Sequence, residues 1–302
     1  MKTKNSAETV VGLDIGGSKT RGITWTNGEI TADATVGSAN VQNVSVETAT
    51  ANMAELFTLL GAPSAGVVFA GAGGVDTDAD AAALQALIAP HVPAARITVV
   101  HDTRLLLAAG GASTGVAVIA GTGSAAWGIN DAGRQARAGG WGYLLGDEGS
   151  GYWFGREAVR HSLHRMDLGA EPDILTQGLL KHCGLDDPSQ LINHFHQGTT
   201  RRYWAATSPV VFAAAAAGHA EALAMIDTAG RDLAGMAAQV AGMLGVAGPI
   251  VLGSGLGSNQ PPLQDAFRKH LAMAGLNDVR ILGQDPIFGV PLLVEEQRRQ
   301  GR

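Results

Sequence analysis

A short β-type run, a glycine turn and a second β-type run occur together twice in this chain, and few folds accommodate that pattern. The first instance is Thr9–Ile15, Gly16-Gly17 and Thr20–Thr26; the second is Val116–Ala120, Gly121-Thr122-Gly123-Ser124 and Ala125–Ile129. Asn27-Gly28 follows the first pair. Asn-Gly favours the positive φ angles of a type I′ turn, so a third antiparallel strand is expected near Ile30. Asn130-Asp131-Ala132-Gly133 turns the chain after the second pair. The recurrence predicts a duplicated domain with its boundary near Gly111–Gly115. With 302 residues, each copy is long enough to bury a core of its own.

After the first hairpin the pattern alternates. A helix is expected over Ser45–Leu60, with Met53, Leu56, Phe57 and Leu60 on one face. A buried strand Gly66–Ala70, closed by Gly71-Ala72-Gly73-Gly74, precedes a helix over Asp80–Ala89. The strand Arg96–Val100 ends at His101-Asp102, and Arg104–Ala109 starts another helix. Strand, helix, strand, helix implies a sheet with parallel members and right-handed crossovers. In the second half, Ala-rich helices near Glu148–Met166 and Pro209–Leu244 flank a less regular stretch containing Asp186-Asp187-Pro188. A strand Pro249–Leu252, a helix near Leu263–Ala272, a strand Val279–Leu282 and a helix near Phe288–Gln300 follow. The expected division is 1–112 and 113–302.

Composition narrows the function. Lys and Arg number 21 against 27 Asp and Glu, a net charge of −6 with no basic run, which disfavours nucleic acid and anionic membrane as main partners. A single Cys183 excludes a disulfide framework, a Cys-built zinc site and an iron–sulfur cluster held within one chain. No run reaches ~20 apolar residues free of glycine and charge, so no membrane span is expected. The polar start Met1 to Thr9 and the early Asp14 predict no signal peptide, and the default is a cytoplasmic enzyme or binding protein.

Four segments carry candidate chemistry. In Asp14-Ile15-Gly16-Gly17-Ser18-Lys19-Thr20, glycines let backbone N–H groups approach a phosphate, Ser18 and Thr20 add hydroxyls, and Asp14 stands where hydrated Mg²⁺ could bridge to those phosphates. The plainer reading is an ordinary hairpin with an exposed Asp. Gly121, Thr122 and Gly123 form a similar turn, and two such hairpins are expected to grip one triphosphate from facing lobes. Asp102, just past a strand, projects at the carboxyl edge of the sheet, where it could accept a substrate's hydroxyl proton; a helix cap is the alternative. Gly139 to Trp153 crowds glycines, aromatic rings and Asp147-Glu148 together, as a polyhydroxylated ligand requires. Glu148 reads better as a complement to the positive end of the next helix, and Asp147 as a ligand group. His101 reads as a packing or surface histidine, Arg201-Arg202 as solvated surface, and His194-x-His196 lacks further metal ligands.

Together these residues resemble the sugar kinase, heat-shock protein and actin superfamily, and more closely its N-acetylglucosamine kinases and BadF-type ATPases. The resemblance runs from about Val10 to Leu293 and is most specific over Gly139–Tyr152, Gly-Gly-Trp-Gly followed by Gly-Asp-Glu-Gly-Ser. It implies an α/β chain of two actin-like (ribonuclease H-like) domains with a nucleotide cleft. It implies ATP and Mg²⁺ as cofactors, phosphate contacts from Gly16, Gly17, Ser18, Thr20, Gly121, Thr122 and Gly123, and Asp14 organising Mg²⁺ through water. Gly253, Ser254 and Ser258 would line the base and ribose. Asp102 would be the general base for the sugar 6-hydroxyl, and Asn40, Gly140, Trp141, Gly142 and Asp147 would hold the ring. Asp285-Pro286-x-x-Gly289 resembles the family's closing motif, which implies that the last helix, about 288–300, packs back toward the first domain. Ala125 departs from the polar residue of eukaryotic relatives, and the zinc cysteines of the ROK sugar kinases and the cluster cysteines of dehydratase activators are missing.

The implied activity is ATP-dependent phosphorylation of an amino sugar at its 6-hydroxyl, with N-acetylglucosamine preferred over glucosamine. A small-molecule sugar, not nucleic acid or membrane, is the expected partner, and the resemblance allows a homodimer. A non-catalytic sugar or nucleotide sensor, or an ATPase acting on a protein partner, are the readings from other classes.

Overall fold

The computed structural model describes residues 8–61, 64–75 and 77–300. The polar start, read above as no signal peptide, lies outside them as far as Ala7. The chain forms two compact units: the first runs to Ser113 and resumes at Gln284, and the second is Thr114–Gly283.

In the first unit, β1 (Thr9–Ile15), β2 (Lys19–Thr26) and β3 (Glu29–Gly37) form an antiparallel meander. Asn27 and Gly28 take φ of 54° and 88°, the paired positive angles that Asn-Gly predicts. Helix α1 (Val46–Leu60) starts where the Ser45 hydroxyl accepts from the Thr48 N–H and stops at Gly61 in a left-handed conformation. β4 (Val67–Ala72), α2 (Asp78–Ile88), β5 (Arg96–His101) and α3 (Asp102–Ala109) follow. β4 pairs in parallel with both β1 and β5, giving the order β3-β2-β1-β4-β5.

Both faces of this sheet are covered, which is why β1 and β4 are apolar along most of their length. Val11, Leu13 and Ile15 pack with Met53, Leu56 and Ile88 on one side. On the other, Ile23, Trp25, Phe69 and Leu105 pack with Ile287, Val290, Leu293 and Val294, so the closing helix Val290–Gln300 is part of this unit's core. Gly289 makes that docking tight: a Cβ there would fall 2.4 Å from the Leu105 carbonyl oxygen.

The second unit repeats the plan. β6 (Gly115–Ala120), β7 (Ser124–Ile129) and β8 (Gln135–Gly139) form the meander; β9 (Ile250–Gly253) and β10 (Val279–Ile281) add in parallel. The order β10-β9-β6-β7-β8 matches the first sheet strand for strand, as a duplication predicts. Helical content exceeds the sequence reading. The stretch expected to be irregular holds α5 (Ile174–Cys183), α6 (Gln190–His196) and α7 (Arg201–Ala206), after α4 (Gly151–Asp167). The single helix expected over Pro209–Leu244 is two, α8 (Pro209–Ala216) and α9 (Ala220–Leu244). Gly218 at φ 82° breaks the run, and the His219 ring caps α9 by accepting from the Ala222 N–H. α10 (Ser254–Asn259) and α11 (Pro261–Met273) complete the unit, and Gly230 lets α9 and α11 approach: a Cβ there would lie 2.5 Å from that of Ala266. No single helix among the described residues is long and apolar enough to cross a membrane.

Candidate active site

The register of the first sheet assembles the acidic residues of the first unit. Asp14 lies opposite Arg21 across β1–β2 and beside Gly71 of β4, while Ala72 pairs with His101 of β5, one residue before Asp102. Residues directly opposite in an antiparallel pair share a face, so Asp14 and Arg21 point the same way. That face receives the closing segment, whose Asp285 pairs with Arg21; Asp33 holds the same guanidinium through two bonds, of 3.0 Å and 2.7 Å. Burial, then the negative charges of Asp102 and Asp285, push the Asp14 carboxyl up to about 7, against the opposing pull of Lys19 and Arg21.

Asp102 is the first residue of α3, and the cap that the sequence reading allowed it belongs to His101. The His101 Nδ1 accepts from the Thr103 N–H at 3.3 Å and lies 2.7 Å from the Thr103 hydroxyl. This corrects the reading of His101 as packing or surface. Capping also leaves no proton on Nδ1, so the Asp102 Oδ1 that lies 2.9 Å from it gains no hydrogen bond and is a buried acceptor without a donor. Gly73 is needed opposite: a Cβ there would stand 3.1 Å from Asp102 Oδ2.

The hairpin turn sorts its predicted phosphate contacts. Gly16 donates to the Lys19 carbonyl, and Gly17 and Ser18 are exposed at the turn. Thr20 is turned away: it is fully buried, and its hydroxyl oxygen accepts from the Ala39 N–H. Asn40 is also engaged, donating to the Gly73 carbonyl at 2.9 Å and accepting from the Gln42 N–H. It therefore ties the segment after β3 to the glycine turn beside Asp102, with one amide hydrogen left for a ligand.

In the second unit the turn Gly121–Gly123 closes through the Gly121 N–H to the Gly123 carbonyl, and Thr122 is half-buried. Gly253 ends β9 in extended backbone, Ser254 follows at φ 74°, and a Cβ on Gly121 would collide with the Ser254 hydroxyl at 2.4 Å. The structure thus brings these two predicted nucleotide segments into contact; Ser258 lies further along α10, half-buried. Asp147 leans on the same turn. Its Oδ1 accepts from the Ser124 N–H at 3.3 Å, and a Cβ on Gly123 would lie 2.8 Å from its Oδ2. Asp147 holds the uncommon φ of 62° and is 3% exposed, with Oδ2 lacking any hydrogen bond. Burial raises its carboxyl above the ordinary value, while the Ser124 N–H and the Arg201 charge oppose that rise. Gly140 and Gly142 take positive φ on the loop leading to it, and Trp141 stands 61% exposed with the Arg137 guanidinium over its ring.

Two parts of this arrangement escaped the sequence. Arg201, read as solvated surface, comes within 3.8 Å of Asp147 Oδ2. It is far from Asp147 along the chain, and no local spacing links them. The second is a cluster of His161, Asp173 and His219 that has the composition of a metal triad. Its bonding argues otherwise. The His219 Nδ1 caps α9, so its Nε2 carries the proton and donates to Asp173 Oδ2 at 3.0 Å, while Arg165 approaches the same oxygen at 3.2 Å. A ring in that state has no lone pair for a cation. Burial alone would raise the Asp173 carboxyl, but bonds from Thr176, His161 and His219 hold it well below the usual range, as a clasp joining α4, α5 and α9.

The chain is similar to several known proteins over most of its length. The model of the BadF/BadG/BcrA/BcrD ATPase family matches residues 11–284. A Clostridium acetobutylicum protein named N-acetylmuramic acid/N-acetylglucosamine kinase is 30% identical over 303 residues, covering 95% of this chain and 98% of that protein. A Dictyostelium discoideum N-acetyl-D-glucosamine kinase is 30% identical over 226 residues, 68% of this chain and 71% of the relative. Among solved structures, a candidate N-acetylglucosamine kinase from Chromobacterium violaceum superposes with a TM-score of 0.76 at 26% identity, over 95% of this chain and 99% of that one. A ROK glucokinase from Streptomyces griseus, solved with glucose and AMPPNP, gives 0.58 at 16% identity over 94% and 98%, a likeness of fold. The two repeated sheets are those of the actin-like sugar kinases, and the chain belongs to the BadF/BadG/BcrA/BcrD ATPase family.

Proposed function

We propose that the protein is an ATP-dependent sugar kinase that transfers the γ-phosphoryl group to the 6-hydroxyl of an N-acetylated hexosamine, N-acetylglucosamine first. The observation that carries this reading is Asp102 Oδ1, a buried carboxylate oxygen without a donor at the carboxyl edge of the first sheet. Such an oxygen is ready to take a proton from an attacking hydroxyl. Relatives named as kinases of these sugars, aligned over most of the chain, supply the substrate class.

The N–H groups of Gly16 and Gly121 are spent closing their own turns. Phosphate recognition therefore falls to Gly17, Ser18, Thr122 and Gly123, while Gly253, Ser254 and Ser258 take the nucleoside. Thr20 serves by holding Ala39 in place. Asp14 fits Mg²⁺, held through water, because a cation would offset the burial, and the neighbouring charges of Asp102 and Asp285, that raise its carboxyl. The ion, when bound, neutralises charge on the transferring phosphoryl group. Asp102 aligns and deprotonates the attacking oxygen, and Asp147 takes ring hydroxyls on its unpartnered Oδ2. ATP supply makes the cytoplasm the expected compartment.

The test is ADP release over glucose, glucosamine, N-acetylglucosamine, N-acetylmannosamine and N-acetylmuramic acid. N-acetylglucosamine is expected to exceed glucosamine by about tenfold or more in kcat/KM, the scale on which a missing contact discriminates. A higher rate on glucosamine makes the chain a glucosamine kinase. Full ADP release without sugar identifies an ATPase for a protein partner, and none with any sugar identifies a sensor.

A further inference from the structure

In α6 and the residue that ends it, Gln190, Asn193, His194 and Gln197 recur at the i, i+3, i+4, i+7 spacing that puts side chains on one helix face. Leu191 and Phe195, on the other side, are buried in the core of the second unit. The outward face holds no Lys, Arg, Asp or Glu at that spacing; it is three carboxamides and an imidazole. Together with Leu185, Thr199 and the Tyr203 ring of α7, it lines a cavity of about 460 Å³ within the second unit. That size falls in the ~300–1,000 Å³ range of small-molecule sites. None of these residues belongs to the candidate active site.

The walls are fixed while their hydrogen-bonding groups stay open. Phe195 packs on Trp204 with ring centroids 4.2 Å apart, which clamps α6 to α7. The Tyr203 hydroxyl lies 2.6 Å from His194 Nε2 and is bonded to the Cys183 thiol, so the phenol ring is pinned. Gln190 Oε1 accepts the Asp186 and Asp187 N–H groups, leaving the amide hydrogens to donate. Thr199 donates to the Phe195 carbonyl at 2.8 Å, leaving its oxygen to accept. Among the described residues, Asn193 and Gln197 make no side-chain hydrogen bond, so each offers both a donor and an acceptor. A lining that gives and takes hydrogen bonds without fixed charge matches hydroxyl groups, which do the same. An anion or a cation would lack a counter-charge there, which disfavours both. Leu185 and the Tyr203 ring add apolar surface on which the C–H face of a pyranose packs. We propose that this cavity is a second ligand site, which binds a neutral, hydroxyl-rich ligand of one or two sugar rings. The proposal does not depend on the kinase reading.

The experiment is ¹H–¹⁵N NMR of the full chain, following the side-chain amides of Gln190, Asn193 and Gln197. The neutral probes are glucose, N-acetylglucosamine, maltose and cellobiose; the charged probes are glucuronate and inorganic phosphate. At least one neutral saccharide is expected to shift all three amides saturably, with a Kd of about 0.1–10 mM, the scale for a ligand this small. It is expected to bind about tenfold or more tightly than glucuronate, which puts a carboxylate on the same ring. Asn193→Ala together with Gln197→Ala should weaken that saccharide about tenfold or more, read on the Gln190 amide. Both side chains are exposed, so the melting temperature and the rate of ADP release with N-acetylglucosamine should stay near wild type. The proposal is overturned if none of the four saccharides shifts these amides, if either charged probe binds as tightly as the best of them, or if the double variant binds unchanged. A saccharide that shifts them in a chain that releases no ADP with any sugar supports the second site and removes the kinase reading.

Discussion

Asp102→Asn is expected to lower kcat for sugar phosphorylation about 10³-fold while leaving the sugar KM within about threefold, the pattern of a group lost only in the transition state. The amide keeps the shape of the side chain beside Gly73, where a Cβ would lie 3.1 Å from Oδ2. It cannot accept the hydroxyl proton. The side chain does not cap α3, because His101 does, so removing the charge leaves the helix start intact. The melting temperature of the variant should stay close to that of wild type, which separates lost chemistry from lost folding. Steady-state kinetics with N-acetylglucosamine as the varied substrate reads both parameters. Turnover near wild type would remove Asp102 from the reaction.

Asp14→Asn is expected to have opposite effects on activity and on stability. Its carboxyl is pushed up to about 7 in the folded protein, from 3.8 for an unperturbed side chain. Between those pH values the folded chain holds a proton that the unfolded chain has released. Stability without metal therefore falls as pH rises from about 4 to about 7 and is level above that. The full shift corresponds to ~4 kcal/mol, and partial exposure of the residue reduces this to about 2 kcal/mol. Asp14→Asn should thus be more stable than wild type by about 2 kcal/mol at pH 8 and by about half of that at pH 5.5. Denaturant melts at the two pH values measure the difference. Adding Mg²⁺ with ATP should stabilise wild type at pH 8 and the variant far less, while kcat falls about 10²-fold or more. A variant less stable than wild type at pH 8 would mean that Asp14 is held by its neighbours and not strained by them.

Much of the fold could be read from the sequence because each hairpin is specified locally. Asn27-Gly28 fixes its turn by the φ angles it tolerates, and apolar runs with glycine ends mark β1, β4, β6 and β9. The repeat of that pattern foretold the repeat of the strand order. The helical region after α4 was harder. α6 and α7 have seven and six residues, too short for periodicity to register, and their ends depend on caps such as Thr200. The Ala-rich run over α8 and α9 hides a break set by one glycine and one capping histidine. At the site, the glycine turns, Asp14 near the end of β1 and Asp102 just past β5 carried their own signals. Arg201, the Arg21–Asp285 pair and the cap at His101 did not. The first two join residues far apart in the chain, and the third turns on which nitrogen of one ring accepts a hydrogen bond. The burial of Thr20 left no local signal, because a hydroxyl next to a glycine turn looks alike whether it faces ligand or the Ala39 N–H.

The reaction proposed for this chain moves a phosphoryl group from ATP to the 6-hydroxyl of an N-acetylated hexosamine. The most direct test is NMR of N-acetylglucosamine labelled with ¹³C at C6, incubated with ATP, Mg²⁺ and the protein. The C6 resonance should shift and split by coupling to phosphorus as ADP accumulates in equal amount. ADP release with C6 unchanged, or phosphorus coupling at C1 instead, would contradict it.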